Sequence, residues 1–126
     1  MGYAFSFEQP GLPNHHYSMN DAQMSILLEV MREVKAIREQ GCNPNWTLLP
    51  DGVTQAKFRS NDNHHVTPAE CLLIAERLRV GLKDGTVIAT LSVIDDAPHG
   101  KKGVAWIEKW IDYNERAAAA GGYRVR

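Results

Sequence analysis

The chain has 126 residues, 44% hydrophobic and 23% charged, a balance that suits one compact domain over residues 1–126 and argues against intrinsic disorder. Fourteen Lys and Arg stand against fifteen Asp and Glu, for a net charge of −1, so no global field holds a polyanion and nucleic acid is not an expected partner. The longest largely apolar stretch, 87–94, is under half a bilayer span, so no membrane partner is expected. Two cysteines and the absence of a charged leader before an apolar run make the cytoplasm the expected compartment.

Tyr3, Phe5 and Phe7 alternate with Ala4, Ser6 and Glu8, a period of two that predicts a short half-buried strand ended by Gln9-Pro10-Gly11. A loop over 12–17 follows, then a helix capped by Ser18 or Asn20, with Leu27, Val30, Met31, Val34 and Ile37 at helical spacing and Gly41 as its end. Residues 42–60 read as turns, with Trp46-Thr47-Leu48 and Ala56-Lys57-Phe58 as strand candidates. Thr67-Pro68-Ala69-Glu70 is the clearest local signal: a Thr cap, Pro at the first helical position, and Glu placed to return a bond to the cap amide.

That helix buries Cys71, Ile74, Ala75, Leu78 and Leu82 on one stripe and breaks or kinks at Asp84-Gly85. Residues 86–94 are ambiguous, because their β-branched content favours a strand while Val87, Ile88, Leu91 and Ile94 keep helical spacing. After a turn over 95–100, Val104, Ile107, Trp110, Ile111 and Asn114 define one face of a last helix, stopped by Gly121-Gly122. Tyr123-Arg124-Val125 can return as a closing strand with its apolar side chains on one face. The expected fold is a helix-rich α+β domain of three to four helices with short N- and C-terminal strands.

An aromatic followed by Asn61-Asp62, the helix start Val66-Thr67-Pro68-Ala69-Glu70, Ile74-Ala75 with Leu78, Asp84-Gly85-Thr86-Val87 and the terminal Gly121-Gly122-Tyr123 form a pattern over 58–125. In these features the chain resembles a loose group of small bacterial and phage proteins without an assigned activity. The resemblance implies a helix for 86–94 and an accessory gene of phage or prophage type; it implies no activity. The N-terminal part departs from the pattern, since Tyr17 and Asn20 stand where that group tends to have a tryptophan-rich, Asn-containing segment, and tryptophan is absent there.

Four of the five histidines come as two pairs, His15-His16 and His64-His65, each just before a predicted helix. If the pairs converge, each offers an imidazole to a divalent metal, with Asp62 or Asp21 as oxygen ligand, and a hydrolytic site with an open water position follows. Against this, loop histidines are commonly solvated, and neither pair has the spacing of a zinc motif. Asn61 and Asp62 lie in a polar turn able to hold a ligand, although the Gly and the distal Glu of a calcium loop are missing. Gly100-Lys101-Lys102-Gly103 lacks the frame of a phosphate loop and reads as solvated. Cys71 faces the predicted core as a small hydrophobe.

Trp106 and Trp110 are four apart on the last helix with Tyr113 beside them. Core packing is the simplest account, but Trp106 and Tyr113 at the edge of the apolar stripe are also what an interface uses as anchors. No complete nucleophile, base and oxyanion set and no cofactor loop is present, so no cofactor is expected. The leading expectation is a noncatalytic protein-binding or self-assembling module, with a protein partner such as a host factor or a second copy meeting Trp106, Trp110 and Tyr113. A small metal-dependent hydrolase built on the two His-His pairs is the alternative.

Overall fold

The structure, a computed structural model, describes residues 2–9, 16–38, 52–59 and 63–126, and the N-terminal alternation becomes strand β1 (Gly2–Phe7), with Phe5 and Phe7 in the core. Residues 16–20 were expected to be loop and helix cap, yet they form β2 (His16–Asn20), antiparallel to β1 from Gly2 opposite Asn20 to Ser6 opposite His16. This register sets Tyr17 against Phe5 and Met19 against Tyr3, which lines up the apolar rows of the two strands on one face.

Asn20 then caps α1 (Asp21–Glu33) reciprocally: its Oδ1 accepts from the Gln23 N–H at 2.7 Å, and Gln23 Oε1 accepts from the Asn20 N–H at 2.9 Å. The helix stops well short of Gly41. Lys35 takes the left-handed conformation (φ 63°) that glycine usually fills, so the Lys35 N–H bonds Arg32 O and the Ala36 N–H bonds Met31 O at 2.8 Å, closing a Schellman end. Ile37–Arg38 (β3) then pairs in parallel with Val53–Thr54 (β4). The strand candidate at Trp46-Thr47-Leu48 lies outside the described residues.

Ala56–Arg59 (α2) is a single helical turn where a strand was expected. Lys57 and Phe58 are both buried, whereas successive residues of a strand point to opposite faces. His64–Val66 (β5) leads to Thr67, whose Oγ1 accepts from the Glu70 N–H at 3.3 Å while Glu70 Oε1 accepts from the Thr67 N–H at 2.9 Å, the predicted start of α3 (Pro68–Asp84). Its buried stripe includes Cys71, Ile74, Ala75 and Leu78; Leu82 is half-buried.

Gly85, at φ 87°, turns the chain into α4 (Thr86–Ser92), so the ambiguous stretch resolves as helix over that span. Val87 and Leu91, one turn apart, are buried there; helical spacing, and with it burial, outweighs β propensity. The last helix, α5 (Gly100–Ala118), buries Ile107, Trp110, Ile111 and Asn114 as expected. It starts at Gly100, so Lys101 and Lys102 sit exposed on its first turn.

Gly121 and Gly122, with φ 81° and 88°, release the chain into β6 (Tyr123–Val125). This final strand is central: the four-stranded sheet has the order β2-β1-β6-β5, antiparallel at every step. Helix α5 packs on the inner sheet face through aromatic rings, with Trp110 5.1 Å from Phe5 and Tyr113 5.0 Å from Phe7 between centroids. The molecule is helix-rich α+β, with five helical segments among the described residues.

Candidate functional site

The aromatic face expected on α5 is mostly core. Trp110 and Tyr113 are buried and stack on each other at 5.9 Å, and only Trp106 is partly exposed. The physical reason is that Tyr113 meets Phe5, Phe7, Tyr17 and Tyr123 from the sheet, which closes the helix edge that a wheel drawn on α5 alone leaves open. Burial pushes the Tyr113 phenol well above its usual range.

The described members of the two pairs, His16, His64 and His65, lie on strands, not in loops. His16 is on β2 and His64-His65 on β5, the opposite ends of the sheet. His16 faces Ser6, Ser6 faces Arg124 and Arg124 faces His65, so the backbone positions of the two histidines are three strand spacings, about 14 Å, apart along one transverse row. Between them stands a guanidinium: Arg124 Nε donates to Glu8 Oε2 at 2.7 Å, and this bond holds the Glu8 carboxyl below its usual range. A cation thus occupies the middle of the row where a shared metal would have to sit, while His65 Nε2 is 2.8 Å from Gly121 O. Among the described residues no group of three or more His, Cys, Asp or Glu is gathered to hold a metal ion. His15, Asn61 and Asp62 lie outside them; Asp21 opens α1.

The sequence reading missed a buried polar cluster between α2, α3, α5 and β6. Lys57 Nζ donates to Glu70 Oε1 at 2.6 Å, with the side chains 2% and 0% exposed, and Glu70 Oε2 has no hydrogen-bond partner among the described residues. Nearby, Tyr123 OH donates to Asn114 Oδ1 at 2.9 Å and Asn114 Nδ2 donates to Trp110 O. Burial, and then the Glu70 charge, pushes the Cys71 thiol up to about 12. Groups so enclosed receive no substrate, and they organise the core. Glu70 read only as a cap because its partner lies 13 residues away, on a segment without a helical pattern.

One groove open to solvent lies where α1 meets α4. Met24, Leu27, Leu28 and Met31 turn α1 inward and leave Glu29 and Glu33, one turn apart, on its outer wall. Ala89, Val93 and Ile94 form the facing wall, with Thr86 and Thr90 between, around an open groove of about 590 Å³. Thr90 Oγ1 donates back to Thr86 O at 2.8 Å, so it is internally satisfied. Arg32 bonds Glu29 at 2.8 Å, and the exposed turn after Ile94 adds Asp95 and Asp96. Val93 is 81% exposed, a large apolar side chain held in water beside carboxylates. The signal available in the sequence was Glu29 and Glu33 at a four-residue interval and a valine followed closely by two aspartates, neither of which announces a site without the packing of α1 on α4. No known protein family, curated protein or solved structure matches the chain.

Proposed function

We propose that the protein is a noncatalytic binding module whose α1–α4 groove takes a basic amphipathic helical segment of a partner protein. Val93 carries this reading: it stands 81% exposed at a groove whose opposite wall is Glu29 and Glu33. A docked helix can cover Val93 and Ile94 with apolar residues at i, i+3 and i+4 while its Lys or Arg side chains meet the carboxylates, whose helical interval of about 6 Å equals the ligand's own. The apolar part supplies the affinity, and the charges set orientation and association rate. A phage or bacterial accessory role against a host factor is in keeping with this reading, as is a cytoplasmic setting in which the buried Cys71 stays a thiol.

Titration with a fluorescently labelled Lys/Leu amphipathic peptide tests it. Saturable binding is expected, weakened about tenfold or more by Val93→Asp and by Glu29→Lys combined with Glu33→Lys, and weakened by added salt. A Glu/Leu peptide of the same length is expected not to bind. Equal binding of the two peptides, or binding indifferent to both variants, overturns the assignment.

A further inference from the structure

The parity of the backbone hydrogen bonds determines what strand β2 offers at its outer edge. Ala4 and Arg126 exchange both N–H···O bonds at 2.8 Å, so the Ala4 polar groups point toward β6, and those of Tyr3 and Phe5 point toward β2. Their partners Met19 and Tyr17 are thereby engaged, while Ser18, between them, directs its N–H and C=O away from β1. Ser18 is exposed, β2 is outermost in the sheet among the described residues, and the Asn20 N–H is already taken by Gln23. The segment His16-Tyr17-Ser18-Met19-Asn20 has no Lys, Pro or bulge, the devices that usually blunt such an edge.

We infer that β2 is the homodimer edge, pairing antiparallel with β2 of a second copy about a two-fold axis through Ser18, so that two four-stranded sheets become one. In that pairing the two Ser18 residues exchange both backbone bonds, and each half-buried Tyr17 lies opposite Met19 of the second copy on the inner face, an aromatic and thioether pair. Charge complementarity singles out a second copy as the occupant. The groove of about 640 Å³ beside β2 is walled by α5 residues of both signs with the small Ala105: Arg116 donates to Asp112 within the helix at 2.8 Å, and Glu108 and Lys109 stand beside that pair. The two-fold axis runs α5 antiparallel to its mate over the joined sheet. An approach centred between Glu108 and Lys109 sets each Glu108 against Lys109 of the other copy, and each Ala105 against Asp112.

Sedimentation equilibrium on the intact chain tests the pairing. The parent protein is expected to dimerise reversibly, with a dissociation constant raised about tenfold or more by Ser18→Pro, which deletes the outward N–H and crowds the edge. Because that N–H points away from β1, its partner strand among the described residues, the variant is expected to keep the parent circular dichroism. Surface charge supplies a second arm independent of the strand. Glu108→Lys is expected to weaken the dimer about tenfold, and adding Lys109→Glu to restore it to within about threefold of the parent. A parent protein monomeric at millimolar concentration overturns the proposal, as does a folded Ser18→Pro chain that dimerises like the parent or a charge swap that fails to restore.

Discussion

Replacing Lys57 by Met removes a charge from a place where water cannot substitute for it. The ammonium and the Glu70 carboxylate are 2% and 0% exposed and 2.6 Å apart, so Lys57→Met leaves a buried carboxylate whose remaining hydrogen bond comes from the Thr67 N–H. The helix cap survives, so its contribution of about 1 kcal/mol is retained and the loss reports the orphaned charge, about 3–5 kcal/mol. Glu70→Gln preserves an oxygen for the Thr67 amide but strands the ammonium, and is expected to cost a similar amount. Domains of this kind have about 5–15 kcal/mol in total, so either change consumes a large part of it. The double variant Lys57→Met with Glu70→Gln buries no charge and keeps the stem volume, and is expected within about 2 kcal/mol of the parent. Urea unfolding followed by tryptophan fluorescence and circular dichroism, with unchanged m-values, measures all four proteins. A single variant costing under about 1 kcal/mol, or a double variant costing the sum of the singles, refutes the reasoning.

Two glycines separate conformational strain from steric exclusion. At Gly85 a methyl group meets nothing within 4 Å, so Gly85→Ala is expected to cost only about 1 kcal/mol for its left-handed backbone, whereas at Gly122 the methyl carbon would lie 2.0 Å from Val66 O, and Gly122→Ala is expected to cost about 3 kcal/mol or more, or to prevent folding. Thermal melts of the two variants check the order. In a Cys42→Ser background, Cys71 is expected to resist alkylation at pH 8 in native buffer and to react once denaturant is added. Its folded pKa lies above the ordinary 9.0, at about 12, so the stability linked to its proton is fully present below pH 9 and is lost as pH rises toward 12. Tyr123, also held above its ordinary value, adds in the same direction. A Cys71→Ala chain is accordingly expected to show a shallower alkaline loss in chemical denaturation between pH 9 and 10.

Elements governed by neighbours in the chain were legible from the amino acids alone. The Thr67 and Glu70 cap, the period-two strand at Tyr3–Phe7, the glycine stop at Gly121-Gly122 and the buried face of α5 are each written within a few residues, because capping bonds and side-chain periodicity are local. What failed depended mostly on a partner far along the chain, or on a local backbone conformation that the residue type does not signal. Lys57 turns inward because Glu70 waits 13 residues on, Tyr113 is sealed by rings from β1, β2 and β6, and Lys35 ends α1 in a conformation for which lysine carries no signal. The histidine pairs looked alike in sequence, yet strand order set His16 and His64-His65 on opposite edges with Arg124 between. Local rules therefore settled where the capped helices start and which face of α3 is apolar, but not α2, the 86–94 stretch or the end of α1. Only the tertiary arrangement decided which polar groups were enclosed, which edge was left open, and that Glu29 and Glu33 would stand across from Val93, because each of these is a relation between segments whose separation in sequence says nothing about their distance in space.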